Sequence, residues 1–213
     1  MTTLSDLVNS CRQRYNAVGD RFFSDEEIWE LVYEAEMEIS IECQALETVY
    51  TTSTVASQRE YDYPTRLLRI SRMTYNGERI EPIDFLKDDA MTGSNEETTT
   101  TGDPLYYCIF ADRLFLRPVP QEVGTIKIYA ITQPTELTAI TDSLSVPERY
   151  RLQIKDYVLS QMFAKDKNAN MTGYHENRWQ RSVEKIKRFE KKRKVGDSYA
   201  VVKNVDDMAV REV

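Results

Sequence analysis

The amino-acid sequence predicts an α+β fold: a helical bundle of N- and C-terminal helices, an inserted β-rich subdomain and an extended C-terminal tail. Apolar residues recur at three- and four-residue spacing at both ends of the chain, as in amphipathic helices. Between these ends, β-branched and aromatic residues alternate with short polar turns, as in strands. We therefore expect helices in residues 1–46 and 145–195, a β-rich insertion at 47–132 and a connector at 133–144.

Two helices are predicted before the insertion. The first carries apolar side chains from Leu4 to Tyr15, and Gly19 is expected to end it. The second begins at Ser24, where Ser24 and Glu27 are expected to form a reciprocal capping box. Its apolar stripe consists of Ile28, Leu31, Val32, Ala35, Ile39, Cys43 and Leu46.

The first half of the insertion is expected to contain a hairpin and a loop. The strand candidate Leu67–Tyr75 is followed by Asn76 and Gly77, which tolerate the positive φ angles of a tight turn. Residues 87–102 have almost no apolar side chains, so we expect a mobile loop there.

The second half of the insertion is expected to be a meander of three strands, at residues 105–110, 114–118 and 125–131. Pro118 and Pro120 lack an N–H group, so they are expected to end the second strand or to place it on an edge.

Two more helices are predicted after the connector. Ser145 and Glu148 form a second capping-box pattern, with Pro147 in the first turn. Residues 168–173 are expected to interrupt the helical pattern, and Gly196 is expected to end the last helix. The side chains expected to face inward from that helix are Trp179, Val183, Ile186 and Phe189.

Residues 196–213 are predicted to form a docking tail. The segment is too short for a core of its own, yet it carries several apolar side chains that need cover. Either a partner covers them or the tail folds back on its own bundle. The docking candidates are Tyr199, Val201, Val202, Val205, Met208 and Val210.

Composition excludes several classes of protein. No apolar run approaches the ~20 residues of a membrane span, and the N-terminus lacks a signal-peptide pattern, so we expect a protein made in the cytosol without membrane contact. Cys11, Cys43 and Cys108 are scattered, which predicts small buried thiols in a reducing compartment. A net charge of −7 argues against a general nucleic-acid binder.

The charges are nevertheless segregated along the chain. The second helix is acidic and the last helix is basic, which predicts pairing either within a subunit or between neighbouring subunits. The candidates for contacts between subunits are Glu30, Glu34, Glu38, Lys187, Lys191 and Lys194.

Catalytic chemistry is not indicated. The seven glycines form no phosphate-binding loop or nucleophile elbow, and the single histidine, His175, is expected to lie at the surface or cap a helix. The pairs Asp88-Asp89 and Glu96-Glu97 are expected to be solvated. We therefore expect no catalytic residue, no metal and no cofactor.

A diffuse local pattern accompanies this layout. Gly102-Asp103-Pro104 precedes Tyr106-Tyr107, Leu114-x-Leu116-x-Pro118-x-Pro120 follows, and a helix begins at Pro147-x-x-Tyr150. Over roughly residues 1–195 the chain resembles the head-to-tail connector adaptor (head-completion) proteins of tailed bacteriophages. None of these residues forms a catalytic signature.

The resemblance implies a structural protein of the virion neck that is assembled in the host cytoplasm. Familiar members form rings of about twelve copies, dock beneath the portal and extend its DNA channel. The partners implied are the portal protein, other copies of the chain and a downstream tail or second adaptor protein. Genomic DNA is expected to pass through the channel during ejection without specific binding.

Two alternatives belong to other classes. The basic run Lys185–Lys194 would allow a nucleic-acid-binding protein, whose DNA affinity should fall steeply with salt. A hydrolase with an unfamiliar site would instead require carboxylates with perturbed pKa values clustered in a cleft.

Overall fold

The computed structural model describes residues 3–16, 22–92 and 100–195. Its helices and strands fall into two compact units, one formed by Met1–Ala45 with Pro134–Val213 and the other by Leu46–Gln133. The first unit is helical and the second contains the sheet, so the predicted α+β class is confirmed. No helix among these residues is both long enough and apolar enough to span a bilayer.

Helices α1 (Leu4–Tyr15) and α2 (Asp25–Cys43) begin at side-chain caps. Thr3 and Asp6 form a reciprocal capping box at α1, which was not predicted although the Thr-x-x-Asp pattern is present in the sequence. At α2, the Ser24 hydroxyl accepts from the Glu27 N–H as predicted, whereas the Glu27 carboxylate binds the Lys165 ammonium at 2.7 Å.

The end of α1 differs from the prediction. The helix ends at Asn16, which adopts the left-handed conformation with φ 63° and donates its N–H to carbonyls of the last turn. Asparagine tolerates this conformation better than most residues, so Gly19 is not needed as the stop. Gly19 itself lies outside the described residues.

The predicted Ser145 cap is wrong. A 3₁₀ turn, Glu148–Tyr150, leads into α4 (Arg151–Lys165). Pro147 occupies the position before this turn, with extended backbone at ψ 140°. The Ser145 hydroxyl accepts instead from the Thr135 N–H at 2.9 Å, so it fastens the connector rather than the helix.

Helix α5 (Ala169–Val195) includes most of the predicted interruption. The Asn168 side chain accepts from the Met171 N–H at 3.2 Å and caps the first turn, and Gly173 lies within the helix. The predicted break at residues 168–173 is therefore wrong except for Asn168 itself. Gly196, the predicted stop, lies outside the described residues.

The inward face of α5 is also partly different from the prediction. Trp179, Val183 and Ile186 are buried, but Phe189 is 51% exposed and Glu190 is buried in its place. Glu190 can be buried because its carboxylate accepts hydrogen bonds from neighbouring side chains, and an unpaired carboxylate could not.

The strands of the β-rich unit are β1 (Glu47–Ser53), β2 (Glu60–Asp62), β3 (Leu67–Tyr75), β4 (Glu78–Pro82), β5 (Thr101–Gly102), β6 (Tyr106–Phe110), β7 (Arg113–Arg117), β8 (Val119–Pro120) and β9 (Thr125–Thr132). Seven of them form one sheet with the strand order β1-β9-β3-β4-β6-β7-β2. A separate parallel pair joins β5 to β8.

The hairpin between β3 and β4 is confirmed. Asn76 and Gly77 take positive φ angles of 48° and 94°, and Met73 then pairs with Ile80 in an antiparallel ladder. The turn chemistry alone was sufficient to predict this part of the sheet.

The predicted meander is correct only for its first two strands. β6 and β7 pair antiparallel, but β9 lies between β1 and β3 instead of next to β7. Pro118 cannot donate to a ladder, so β7 ends at Arg117 and Val119–Pro120 pairs with Thr101–Gly102. The chain thus leaves the β6–β7 hairpin before it returns to the sheet.

One continuous core fills the β-rich unit. In β9, Ile126, Ile128 and Ala130 are buried at two-residue spacing, as expected for a strand with one face inward. The cluster comprises Leu67, Met73, Tyr75, Ile80, Tyr107, Leu114, Leu116, Ile126, Ile128 and Ala130.

The predicted loop at residues 87–102 is wrong for its two ends. Helix α3 (Phe85–Thr92) covers the start, and β5 covers the finish. Asp88, which we expected to be solvated, is buried and forms salt bridges to both Arg59 and Arg117. The two positive charges of the arginines compensate the cost of removing one carboxylate from water. Residues 93–99 lie outside the described ranges.

Gly124 provides a test of the sheet packing. A methyl group at Gly124 would lie far inside van der Waals contact with the buried Tyr75 ring, so Gly124→Ala should lower the free energy of unfolding by about 1–3 kcal/mol. Gly173→Ala is the matched control, because its methyl group would meet open space within α5 and should stabilise that helix by about 1 kcal/mol. Urea denaturation measures both, and equal effects of the two variants would contradict the packing described here.

Candidate functional site

The described residues contain no group of three or more histidine, cysteine, aspartate or glutamate side chains that could hold a metal ion. The three cysteines are buried free thiols, as predicted. On the helical unit, some charged side chains tie the helices together and others face outward. The outward-facing charges are the candidate functional site.

Two contacts on the margin of α2 fasten it to α5. The Glu38 carboxylate accepts from the Trp179 indole N–H at 3.0 Å, and Lys187 donates to Glu42 at 3.1 Å. The Lys187–Glu42 pair is half exposed, so solvent screens its charges and it adds little to stability. It mainly fixes which faces of the two helices meet.

The six charge candidates from the sequence fall into two groups. Glu34 accepts from the Tyr157 hydroxyl at 3.0 Å, and Lys194 donates to the Gln44 carbonyl at 2.7 Å, so these two contact their own subunit, as do Glu38 and Lys187. The remaining two, Glu30 and Lys191, are exposed. A role for any of the six between subunits stays a prediction.

The outward side of α2 is both acidic and apolar. We define its acidic face as Glu26, Glu30 and Glu34, at four-residue spacing, with Tyr33, Met37 and Ile41 beside them. A groove of about 660 Å³ runs along this face. Its lining residues are Glu26, Trp29, Glu30, Tyr33, Glu34, Glu136, Leu137 and Thr138.

The outward side of α5 is basic. We define its basic face as Arg181, Lys185, Arg188 and Lys192, which repeat at four, three and four residues and are all exposed. They lie opposite the buried side of the helix, which carries Trp179, Val183, Ile186 and Glu190. The basic run was evident in the sequence, but this arrangement was not.

Buried Glu190 binds three side chains that lie beside the basic face. Its carboxylate accepts from the Tyr150 hydroxyl, from Arg149 at 2.9 Å and from Arg193 at 2.8 Å. Burial alone would raise the pKa of Glu190, but these hydrogen bonds hold the pKa below its ordinary value. Arg149 also lies over the exposed Phe189 ring, which fixes an apolar side chain next to the basic face.

Buried Glu36 ties α2 to the segment that precedes α4. One carboxylate oxygen accepts from the Val146 N–H at 2.8 Å, and the other has no hydrogen-bond partner among the described residues. Burial raises the pKa of Glu36 to about 7, against the opposing effect of backbone hydrogen bonds from Val146 and Ser145 and of Arg151.

His175 is not at the surface, so that prediction is wrong. The ring is buried, its Nδ1 lies 3.0 Å from Asp156, and it stacks on Phe163. The sequence did contain the signal, because His175 continues the inward series of Trp179 and Val183 one turn earlier. The neighbouring carboxylate satisfies the histidine within the core.

The tail candidates Tyr199, Val201, Val202, Val205, Met208 and Val210 lie outside the described residues. Their docking role therefore stays a prediction.

The comparison with known families gives one finding. A family model described as "SU10 adaptor protein" matches residues 2–203 and so spans both units. No individually curated protein matches the sequence.

Glu36 predicts a specific dependence of stability on pH. Its pKa is higher in the folded protein than the ordinary 4.5, so its favourable contribution is complete below about pH 4.5 and is lost as the pH rises through about 7. Between about pH 5 and pH 8, the free energy of unfolding should fall by about 3 kcal/mol less in Glu36→Gln than in the wild type. Chemical denaturation at several pH values measures it, with exposed Glu30→Gln as control. An unchanged pH profile in Glu36→Gln would contradict the assignment.

Proposed function

The chain belongs to the SU10 adaptor protein family of phage head–tail adaptors, and from this premise we propose that it forms a ring beneath the portal. In this proposal the ring extends the DNA channel and provides the attachment site for the tail. Family membership makes the protein a structural component of the virion that associates with portal and tail components. The match over residues 2–203 is the observation that carries the proposal.

The charge of the chain supports a conduit for DNA. A channel that bound phosphates strongly would hold back a moving genome, because each neutralised phosphate adds to the affinity. The net charge of −7 suits passage without tight binding. Structural adaptors are generally not enzymes, and in this proposal no residue has a catalytic role.

The C-terminal tail is proposed as the arm that holds the ring on the portal or on a neighbouring subunit. Each apolar side chain that becomes buried contributes about 1.5–3 kcal/mol, less the free energy needed to order the segment. Several anchors per subunit, repeated in about twelve copies, would make dissociation very slow because all contacts must open together.

One observation favours a second candidate function, nucleic-acid binding. The basic face places Arg181, Lys185, Arg188 and Lys192 in one exposed row. Such a row would bind duplex DNA with an affinity that falls steeply as salt rises. Few aromatic side chains accompany it, so stacking on single strands is not favoured.

A phage that lacks this protein should accumulate heads that package DNA but leak it or fail to acquire tails. The reason is that the proposed ring both closes the portal exit and provides the tail attachment site. Electron microscopy of lysates and nuclease protection of packaged DNA measure the two defects. Supplying the protein from a plasmid is the control. Infectious particles at normal yield without the protein would contradict the proposal.

Truncation after Gly196 should abolish portal binding without changing helical content or melting temperature, because the tail is proposed to dock on a partner and not on its own bundle. A second variant keeps the full length of the chain and changes Val201, Val205 and Met208 to Ser. It should lose portal binding in the same way. Circular dichroism and co-sedimentation with purified portal rings measure the two properties. An unfolded truncated protein, or undiminished portal binding, would rule out the docking arm.

A further inference from the structure

We propose that the acidic face of α2 in one subunit binds the basic face of α5 in the next copy of this chain. The contact is head-to-tail, since each subunit contributes a different face on each of its two sides. Repeated contacts of this kind form a ring when the rotation between successive copies closes a full turn. This inference rests on the proposed function, because it requires several copies arranged around one axis.

The carboxylates of the acidic face have no cationic partner within the described ranges, although Glu34 accepts from the Tyr157 hydroxyl. Glu26, Glu30 and Glu34 rise along one side of α2 over about 12 Å, and like charges four residues apart repel each other. Within the described ranges, Glu26 and Glu30 form no ion pair. A row of opposite charges at this surface would therefore remove a repulsion that the isolated subunit retains.

The same surface has an apolar component that mobile counter-ions cannot cover. Tyr33, Met37 and Ile41 follow one another at four-residue spacing, and Ile41 is 52% exposed. A protein surface could cover these apolar side chains.

The basic face has the matching dimensions and chemistry. Arg181, Lys185, Arg188 and Lys192 extend over about 16 Å of α5, and none of them forms an ion pair within the described part of the chain. Phe189 lies half exposed on the flank of this row, where Arg149 covers one side of its ring. The two faces thus pair a row of anions with a row of cations, each next to apolar side chains.

The two faces cannot meet within one subunit. α2 and α5 pack against each other through their buried sides, for example where the Cys43 thiol lies 3.6 Å from the Val183 carbonyl. The acidic and basic faces lie on the outward sides of the two helices. Only a second copy can bring an α5 basic face onto an α2 acidic face.

The experiment reverses two charges on each of the two surfaces separately. Glu30→Lys with Glu136→Lys alters the acidic groove, and Lys185→Glu with Arg188→Glu alters the basic face; all four side chains are exposed. Each double variant, supplied to a phage that lacks the protein, should be incorporated into heads at least about tenfold less than wild type, because like charges would then face each other.

Restoration is the decisive result. Placing all four substitutions in one chain should restore incorporation, since opposite charges face each other again at every contact. Co-expression of the two double variants should also restore it in an even-membered ring, because altered and unaltered contacts can alternate. Melting temperatures within a few degrees of wild type show that each variant folds. Two neutral double variants make milder changes, because they remove charges without reversing them. Incorporation into heads should lie between the wild-type and charge-reversed values for Glu30→Gln with Glu136→Gln, and likewise for Lys185→Gln with Arg188→Gln.

Other outcomes would overturn the proposal. Normal incorporation of either reversed variant into heads would exclude this contact. If Lys185→Glu with Arg188→Glu lowers the affinity for DNA and leaves incorporation unchanged, the basic face is assigned to nucleic acid. Folded reversed variants that neither combination restores would assign the faces to the portal or another partner. Failure of the proposed function is distinguishable, because wild-type protein would then be missing from heads.

Discussion

The packing of α2 against α4 and α5 is the constraint on which the helical unit depends. Ile28, Val32 and Ile39 bury one side of α2, and Glu36 joins that side to the chain before α4. Polar contacts along the margin, such as the Glu38–Trp179 hydrogen bond, then fix the rotation of the helix. Once that rotation is fixed, the remaining charges can only point outward, so the core determines which surfaces are available to partners.

Periodicity predicted the helices because burial of one stripe dominates their placement, and the Asn76-Gly77 turn predicted its hairpin because few residues tolerate positive φ. What failed depended on contacts distant in sequence. The inward position on α5 went to Glu190 instead of Phe189, since Tyr150 and its neighbours satisfy the carboxylate. The place of β9 between β1 and β3 likewise requires pairings that no local pattern encodes.

The candidate site was predictable in composition but not in geometry. Charge segregation along the chain was evident, yet the sequence could not divide the charges between internal and outward contacts. Lys187 and Glu42 pair within the subunit, whereas Arg188, one residue further along α5, lies on the outward basic face. A helix places neighbouring residues about 100° apart, so adjacent cations can serve different purposes. Only the orientation of the helix in its bundle separates the two.

Three observations fit together if the protein is a ring-forming adaptor between portal and tail. They are the family match, the acidic composition and a helical unit with one acidic and one basic outward face. The most direct test is a cryo-electron microscopy reconstruction of purified tailed particles, combined with quantitative mass spectrometry of their proteins. The account predicts a ring of about twelve copies of this chain directly beneath the portal. Its absence from the particles, or a location elsewhere on the capsid or along the tail, would contradict the account.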